Sequence, residues 1–198
     1  MIAAALMAGT AVLLLRDGAD QDGDADYQAP DLLDQATELW QQFETIPGDP
    51  EVQIKNLNAF MMAIRTGEGT AGPNGYRTLV GGTLFDSYAD HPRKLVYLPS
   101  LGINSTAAGA YQILRRTWDE VAGALGLPDF SPASQDAACV KLIKRRGAYN
   151  DVLAGRFEVA IDKCRKEWAS LPGAGYGQRE ESLANLRAVY VKNGGVLA

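Results

Sequence analysis

The hydrophobic period of this chain switches twice along its length, and that limits the fold more than any single residue does. Up to Gly67 the apolar residues recur at helical spacing. Leu32, Leu33, Ala36, Leu39, Trp40 and Phe43 make one stripe, with Asp31 at the N-cap position. Val52, Leu57, Phe60, Met61 and Ile64 make a second, after the breaker Pro47-Gly48-Asp49-Pro50. Residues 76–98 lose that spacing. There, 76–85 and 95–98 read as short strands around a polar connection over 86–94. From Tyr111 onward the pattern is helical again. Ser131 and Pro132 form a cap and first position for a helix running to about Arg146. Another helix is expected over 157–171, with Phe157, Ile161, Cys164 and Trp168 on one face. An irregular loop over 171–177 precedes a last helix. Helices around one small β-patch predict an α+β domain over residues 31–198, without internal repeats.

The chain has 198 residues, 46% of them apolar, which suffices for one sizeable core and is too apolar for wholesale disorder. A single histidine argues against a His-built metal site or a Ser-His-Asp triad. Cys139 and Cys164 form no CxxC pair. They read either as a disulfide across two helices or as two separate buried thiols. Charge is 24 acidic against 19 basic residues. Asp17, Asp20, Asp22, Asp24 and Asp26 carry most of the excess, with Arg16 their one basic neighbour. The remainder is nearly neutral, so no nucleic-acid partner is expected.

Residues 1–15 contain no charged side chain and are rich in Ala and Gly. They fall short of the ~20 residues that cross a bilayer core, and lack a basic n-region and an A-x-A site. They read as a weakly hydrophobic export signal or membrane anchor, giving transient membrane association. The alternative is a buried apolar helix. Residues 16–30 read as an acidic linker, because Asp and Gly disfavour both helix and strand there.

Gly67-Glu68-Gly69-Thr70-Ala71-Gly72 fits G-x-G-x-x-G, but a dinucleotide site needs a strand before it and a helix beginning within it. Here a helix precedes it. Glu68 is the informative member. It sits just past an apolar helix, between two glycines, where a rigid element holds it and neighbouring chain can wall it off. Desolvation raises a Glu pKa, and such a carboxyl can protonate a leaving-group oxygen near neutral pH. The plain alternative is a surface Glu in a turn. In residues 105–113, small residues allow close backbone approach, Tyr111 offers a flat face with a hydroxyl, and Gln112 a donor and an acceptor. That mixture suits a sugar ring, or simply a loop before a helix. His91, in Asp90-His91-Pro92-Arg93-Lys94, is read as a loop-fixing hydrogen-bonder rather than a catalyst.

Several runs together resemble the endolysins of the bacteriophage lambda type, often called lysozymes. They are Glu68-Gly69-Thr70, residues 79–85, 90–96, 105–114 with Tyr111-Gln112, 125–132, Ser134-Gln135-Asp136, and 168–178. The resemblance extends over residues 60–181, and residues 1–57 lie outside it. It implies a lysozyme-like α+β fold, mainly helical, with a small antiparallel β-lobe flanking a cleft. It implies a peptidoglycan lytic transglycosylase: the muramyl C6 hydroxyl attacks C1 and leaves a 1,6-anhydro end. Glu68 is then acid first and base afterwards. Tyr111 and Gln112 are expected to line glycan subsites, with Ser105, Thr106, Tyr76 and Tyr176 as further candidates.

No metal or organic cofactor is implied. The partners are peptidoglycan glycan strands, and the protein is expected to be a monomer. It would act in the periplasm or cell envelope after export, or stay cytoplasmic until holin release if residues 1–15 are not a signal. Ordinary glycosidases need a second carboxylate; an intramolecular hydroxyl does not. Asp86 and Asp90 are candidates for one, and read more simply as turn residues. The rival readings are a hydrolytic muramidase on the same fold and a non-catalytic glycan-binding envelope or phage-particle protein. Within the matching region the chain departs from the family pattern in a shorter loop between Glu68 and Tyr76, and in Arg77, which replaces an acidic residue.

Overall fold

A computed structural model describes residues 48–198. The expected segments 1–15 and 16–30 and the stripe over 32–43 lie outside the described residues. Element α1, Pro50–Gly67, starts where Asp49 caps it: the Asp49 carboxylate accepts from the Glu51 amide at 2.9 Å, and Pro50 occupies the first turn. Phe60, Ala63 and Ile64 on its inner face are fully buried. Burying a side chain the size of Phe60 or Ile64 contributes about 1.5–3 kcal/mol. Val52 and Leu57, expected on that face, are only half-buried. Asn56 takes an inner position instead. Its amide donates to the Leu153 carbonyl at 3.0 Å, and its oxygen accepts from the Val196 amide at 2.7 Å. A polar residue is tolerated in the core here because both ends of its amide are bonded.

The β-patch is smaller than expected, and its pairing differs. Strands β1, Val96–Leu98, and β2, Ile103–Ser105, form an antiparallel hairpin with Tyr97 opposite Asn104. Residues 76–85 do not form a strand. A 3-10 turn occupies Gly75–Arg77, and single bridges join Thr78 to Leu84 and Leu79 to Ala108. Gly81 and Gly82 both adopt positive φ, which folds the chain back on itself before a ladder can extend. Strand β2 escaped the sequence reading because Ile103-Asn104-Ser105 has no apolar alternation.

Helices α2, Arg115–Leu125, α3, Pro132–Arg145, α4, Tyr149–Leu153, α5, Phe157–Cys164, and α6, Leu183–Lys192, complete the described chain. Helix α3 has the expected start, the Ser131 hydroxyl accepting from the Ser134 amide. Helix α5 ends at Cys164, seven residues before the periodicity predicts. Tertiary partners capture the residues that would have continued it. Arg145 and Arg146 each hold Glu167 at 2.7 Å, and the Trp168 indole donates to the Tyr111 carbonyl at 3.1 Å. Cys139 and Cys164 are separate buried thiols. Phe130 centres an aromatic cluster with Trp118, Phe85 and His91. The result is a helical body with a small β-patch, the α+β architecture expected.

Candidate active site

Glu68 is the C-cap residue of α1 and is half-buried. Its amide continues the helix by donating to the Ile64 carbonyl at 2.9 Å, so the carboxyl rides on a rigid end. Ser170, 7% exposed, donates its hydroxyl to Glu68 Oε1 at 2.6 Å. Burial pushes the Glu68 pKa above the ordinary carboxylate value, and the hydrogen bonds from Ser170 oppose that rise without cancelling it. No charged group contributes to the shift.

Both sides of this pair are anchored. A Cβ added at Gly67 would lie 2.8 Å from Ser170 Oγ, so glycine there lets the serine approach. The Ser170 carbonyl accepts from the Glu181 amide at 2.8 Å, which ties the 171–181 loop down beside Glu68. In that loop the Glu180 carboxylate accepts from the Gly173 and Gly175 amides, each at 2.7 Å. Two residues beyond Glu68, the buried Thr70 donates its hydroxyl to the Ala110 carbonyl. Glu68 is thereby joined to the 105–114 segment.

Gln135 organises that segment. It is fully buried, accepts from the Ala110 amide at 2.8 Å, and donates to the carbonyls of Tyr76 and Phe130. A Cβ at Gly109, which has φ +77, would lie 2.2 Å from the Gln135 side-chain oxygen, so this turn requires glycine. Next to it, Asp136 accepts from the hydroxyls of Tyr76 at 2.8 Å and Tyr111 at 2.5 Å. Burial raises the Asp136 pKa, opposed by the two tyrosines and by Arg65. The Arg65 guanidinium lies 4.6 Å from the centre of the Tyr76 ring. Sequence reasoning assigned no role to Ser170, Gln135 or Asp136. Their one signal was membership of the Ser134-Gln135-Asp136 and 168–178 runs.

The expected glycan-lining residues differ in what they can offer. Tyr111 is 1% exposed, so its ring presents no face to a sugar. It is a core residue whose hydroxyl Asp136 holds, which corrects the expectation for it. Gln112 is half-buried at φ +46, and its amide nitrogen donates to the carbonyls of Thr78 and Gly109. Ser105 accepts from the Ala107 amide, and Thr106 accepts from the Arg115 amide at the start of α2. Tyr76 is half-buried and Tyr176 is 56% exposed, the latter donating its hydroxyl to the Lys166 carbonyl.

His91 is buried. Its Nδ1 accepts from the Arg93 amide, so Nε2 carries the proton toward the Ile113 carbonyl at 2.9 Å. It fixes the loop. Asp90 accepts from Arg93, the His91 amide and Trp118, which hold its pKa below the ordinary value. The Asp86 side chain is 98% exposed and pairs with Arg77 at 3.2 Å. The residues 67–72 follow a helix, which is the wrong context for a dinucleotide fingerprint.

The family model described as Endolysin matches residues 58–197. The chain is 47% identical to the endolysin of Escherichia phage lambda, over 74% of this chain and 96% of that protein. It is 45% identical to the endolysin of Escherichia phage P2, over 73% and 96%. A solved structure of bacteriophage lambda lysozyme in complex with a chitohexasaccharide superposes with TM-score 0.69 at 44% identity, covering 73% of this chain and 97% of that one. A second structure of lysozyme from bacteriophage lambda gives TM-score 0.66 at 45% identity.

Proposed function

The chain belongs to the endolysin family and has the lysozyme-like fold, and on that premise we propose that it is a peptidoglycan lytic transglycosylase. It cleaves the MurNAc-β-1,4-GlcNAc bond of bacterial cell walls during host lysis. The observation that carries this reading is Glu68: a half-buried carboxyl on a rigid helix end, with a raised pKa to which no second carboxylate contributes. The chitohexasaccharide bound by lambda lysozyme supports a β-linked amino-sugar strand as the ligand.

Neutral Glu68 gives its proton to the glycosidic oxygen as the C1–O bond breaks and the GlcNAc hydroxyl leaves. Positive charge develops at C1 of the muramyl ring. The Glu68 carboxylate then takes the proton of the muramyl C6 hydroxyl while that oxygen bonds to C1. The product is a 1,6-anhydro ring, the acid is regenerated, and no water is consumed. One carboxyl therefore serves both steps, where hydrolases use two at a set separation. Ser170 holds the Glu68 rotamer through both, donating to the carboxylate when it forms. Gln112, Tyr76, Tyr176, Ser105 and Thr106 remain the residues proposed to border the strand.

Mass spectrometry of muropeptides released from purified peptidoglycan tests this. Products lighter by one water, without reducing muramic ends, are expected. Reducing ends would make the protein a hydrolytic muramidase on the same fold and would demand a second carboxylate. The same reading takes residues 1–15 as an export signal or membrane anchor that brings a monomeric enzyme to the periplasm or cell envelope. Fractionation of cells expressing the full chain tests that, and recovery solely from the cytosol, pending holin release, refutes it.

A further inference from the structure

A cavity of about 380 Å³ lies between the 111–114 and 166–169 segments; Gln112 and Tyr176, proposed above to border the glycan strand, are in its lining, while the proton-transfer steps involve none of its residues. One wall is the segment Tyr111, Gln112, Ile113 and Leu114, which begins directly after the Ala110 carbonyl held by Thr70. The opposite wall is Lys166 to Ala169, which ends directly before Ser170. The cavity is thus built on the same two segments that hold Glu68, on one by way of Thr70 and on the other by way of Ser170.

Its lining is amphipathic with an excess of positive charge. Arg145, Arg146 and Lys166 face Glu167 as the sole acid of the lining. Glu167, whose side chain is 7% exposed, is matched by both arginines, and Glu120 from outside the lining also pairs with Arg145 at 3.1 Å, so the positive charge left over at the mouth is that of Lys166. Lys166 is exposed and has no ion-pair partner among the described residues. Leu114 and Tyr176, at 48% and 56% exposed, place apolar surface at the same mouth. A pocket of this kind suits a short peptide that combines small apolar side chains with several carboxylates. A peptide-free strand offers such a pocket less: the single lactyl carboxylate of each muramic acid, without the alanyl methyl groups and further carboxylates of a stem.

We propose that this cavity takes the acidic peptide stem attached to the lactyl group of muramic acid, so that the enzyme reads peptide as well as sugar. The inference rests on the peptidoglycan reading above. The stem's alanyl methyl groups lie against Leu114 and Tyr176, and its carboxylates meet Lys166. Lys166 is then a specificity-determining residue.

The test compares peptide-bearing, uncross-linked glycan strands with the same strands stripped of peptide, using the full chain. Wild type is expected to show a KM about tenfold lower on the peptide-bearing strands. The ratio of the two KM values cancels any change common to both substrates. Lys166→Glu reverses the charge at the mouth, and Thr117→Trp fills the cavity from α2; each is expected to bring the ratio close to one. Equal KM values for wild type, or an unchanged ratio in both variants, overturn the proposal. Binding of a soluble disaccharide-tetrapeptide and of its peptide-free disaccharide is measured in parallel. A chain that cuts neither strand refutes the transglycosylase reading, while binding still decides the stem site: tighter binding of the peptide form, lost in both variants, supports it, and equal binding overturns it.

Discussion

The Ser170 hydroxyl donates to Glu68 Oε1 at 2.6 Å, joining the end of α1 to a turn 102 residues further along the chain. The bond places a neutral donor, and no charge, against a carboxyl whose pKa burial has already raised. The pair can therefore pass between acid and base without rearranging a neighbouring ion.

Replacing Glu68 by Gln keeps the shape and the contact with Ser170 but removes the proton. Turbidity loss of outer-membrane-permeabilised cells is expected to fall by at least about 10²–10⁴-fold, the usual contribution of a general acid. The variant is expected to melt higher than wild type at neutral pH. The folded pKa of Glu68 lies above its unfolded value, so the unpaired burden of the charged form appears as pH rises through the folded pKa. The gain should vanish at acid pH, where the carboxyl is protonated in both states. Near-wild-type lysis would remove Glu68 from the mechanism.

Ser170→Ala removes a hydrogen bond that favours the charged form, so the Glu68 pKa rises further. The alkaline limb of the kcat/KM profile is expected to move to higher pH, with kcat lowered about tenfold as the rotamer loosens. An unmoved limb would mean that Ser170 does not set the acid.

Gly67→Ala tests the same contact from the other side. The added methyl meets Ser170 Oγ at 2.8 Å, and the hydroxyl must rotate away from Glu68 to make room, which costs about the 0.5–1.5 kcal/mol of a hydrogen bond. Ala is also favoured over Gly within a helix by about 1 kcal/mol. Thermal stability is therefore expected to hold, while the pH profile shifts in the direction of Ser170→Ala. A variant that unfolds, or one with an unchanged profile, contradicts this.

Tyr111→Phe distinguishes a core residue from a glycan platform. It leaves Asp136 with Tyr76 as its remaining tyrosine donor. Loss of a hydrogen bond to a charged group costs about 1.5–3 kcal/mol, which lowers Tm by roughly 2–4 °C per kcal/mol at this size. KM for peptidoglycan is expected to stay within about twofold. A large rise in KM with an unchanged Tm would return Tyr111 to the binding surface.

His91 supplies a pH dependence of stability. Burial lowers its pKa from 6.5, and its Nδ1 must stay unprotonated to accept from Arg93. Its stabilisation is complete above about pH 6.5 and is lost as pH falls through the depressed folded value. Glu68 and Asp136, both raised, act with the opposite sign. The informative quantity is therefore the difference between wild type and His91→Gln in denaturant unfolding. That difference is expected to shrink as the pH is lowered from 7 toward 5, and a constant gap would refute it.

Much of the framework was legible in the sequence because its signals are local. Asp49 with Pro50, and Ser131 with Pro132, mark helix starts through caps and fixed torsions that act over a few residues. Glu68 could be singled out for the same reason: a periodic helix stops at Gly67 and a carboxyl follows between glycines. The Phe60 and Ile64 stripe foretold the buried face of α1. Where local signals conflicted with partners elsewhere, they misled. The helical period of residues 157–171 continues past Cys164, but Glu167 and Trp168 are taken by Arg145, Arg146 and the Tyr111 carbonyl. Tyr111 has the composition of a sugar platform, yet closure of α3 over it hands its hydroxyl to Asp136.

The sequence by itself determined the helices at both ends of the described residues, the α+β class and the choice of Glu68 as the proposed acid, since periodicity, caps and one helix terminus are short-range properties of the chain. The tertiary structure alone decided that Ser170 is the partner of Glu68, that Asp136 is held by two tyrosines, and that Tyr111 is core. Each of these is a contact between residues 25 to 102 apart in sequence, and such a hydrogen bond exists only once the packed interior has excluded water and fixed both ends.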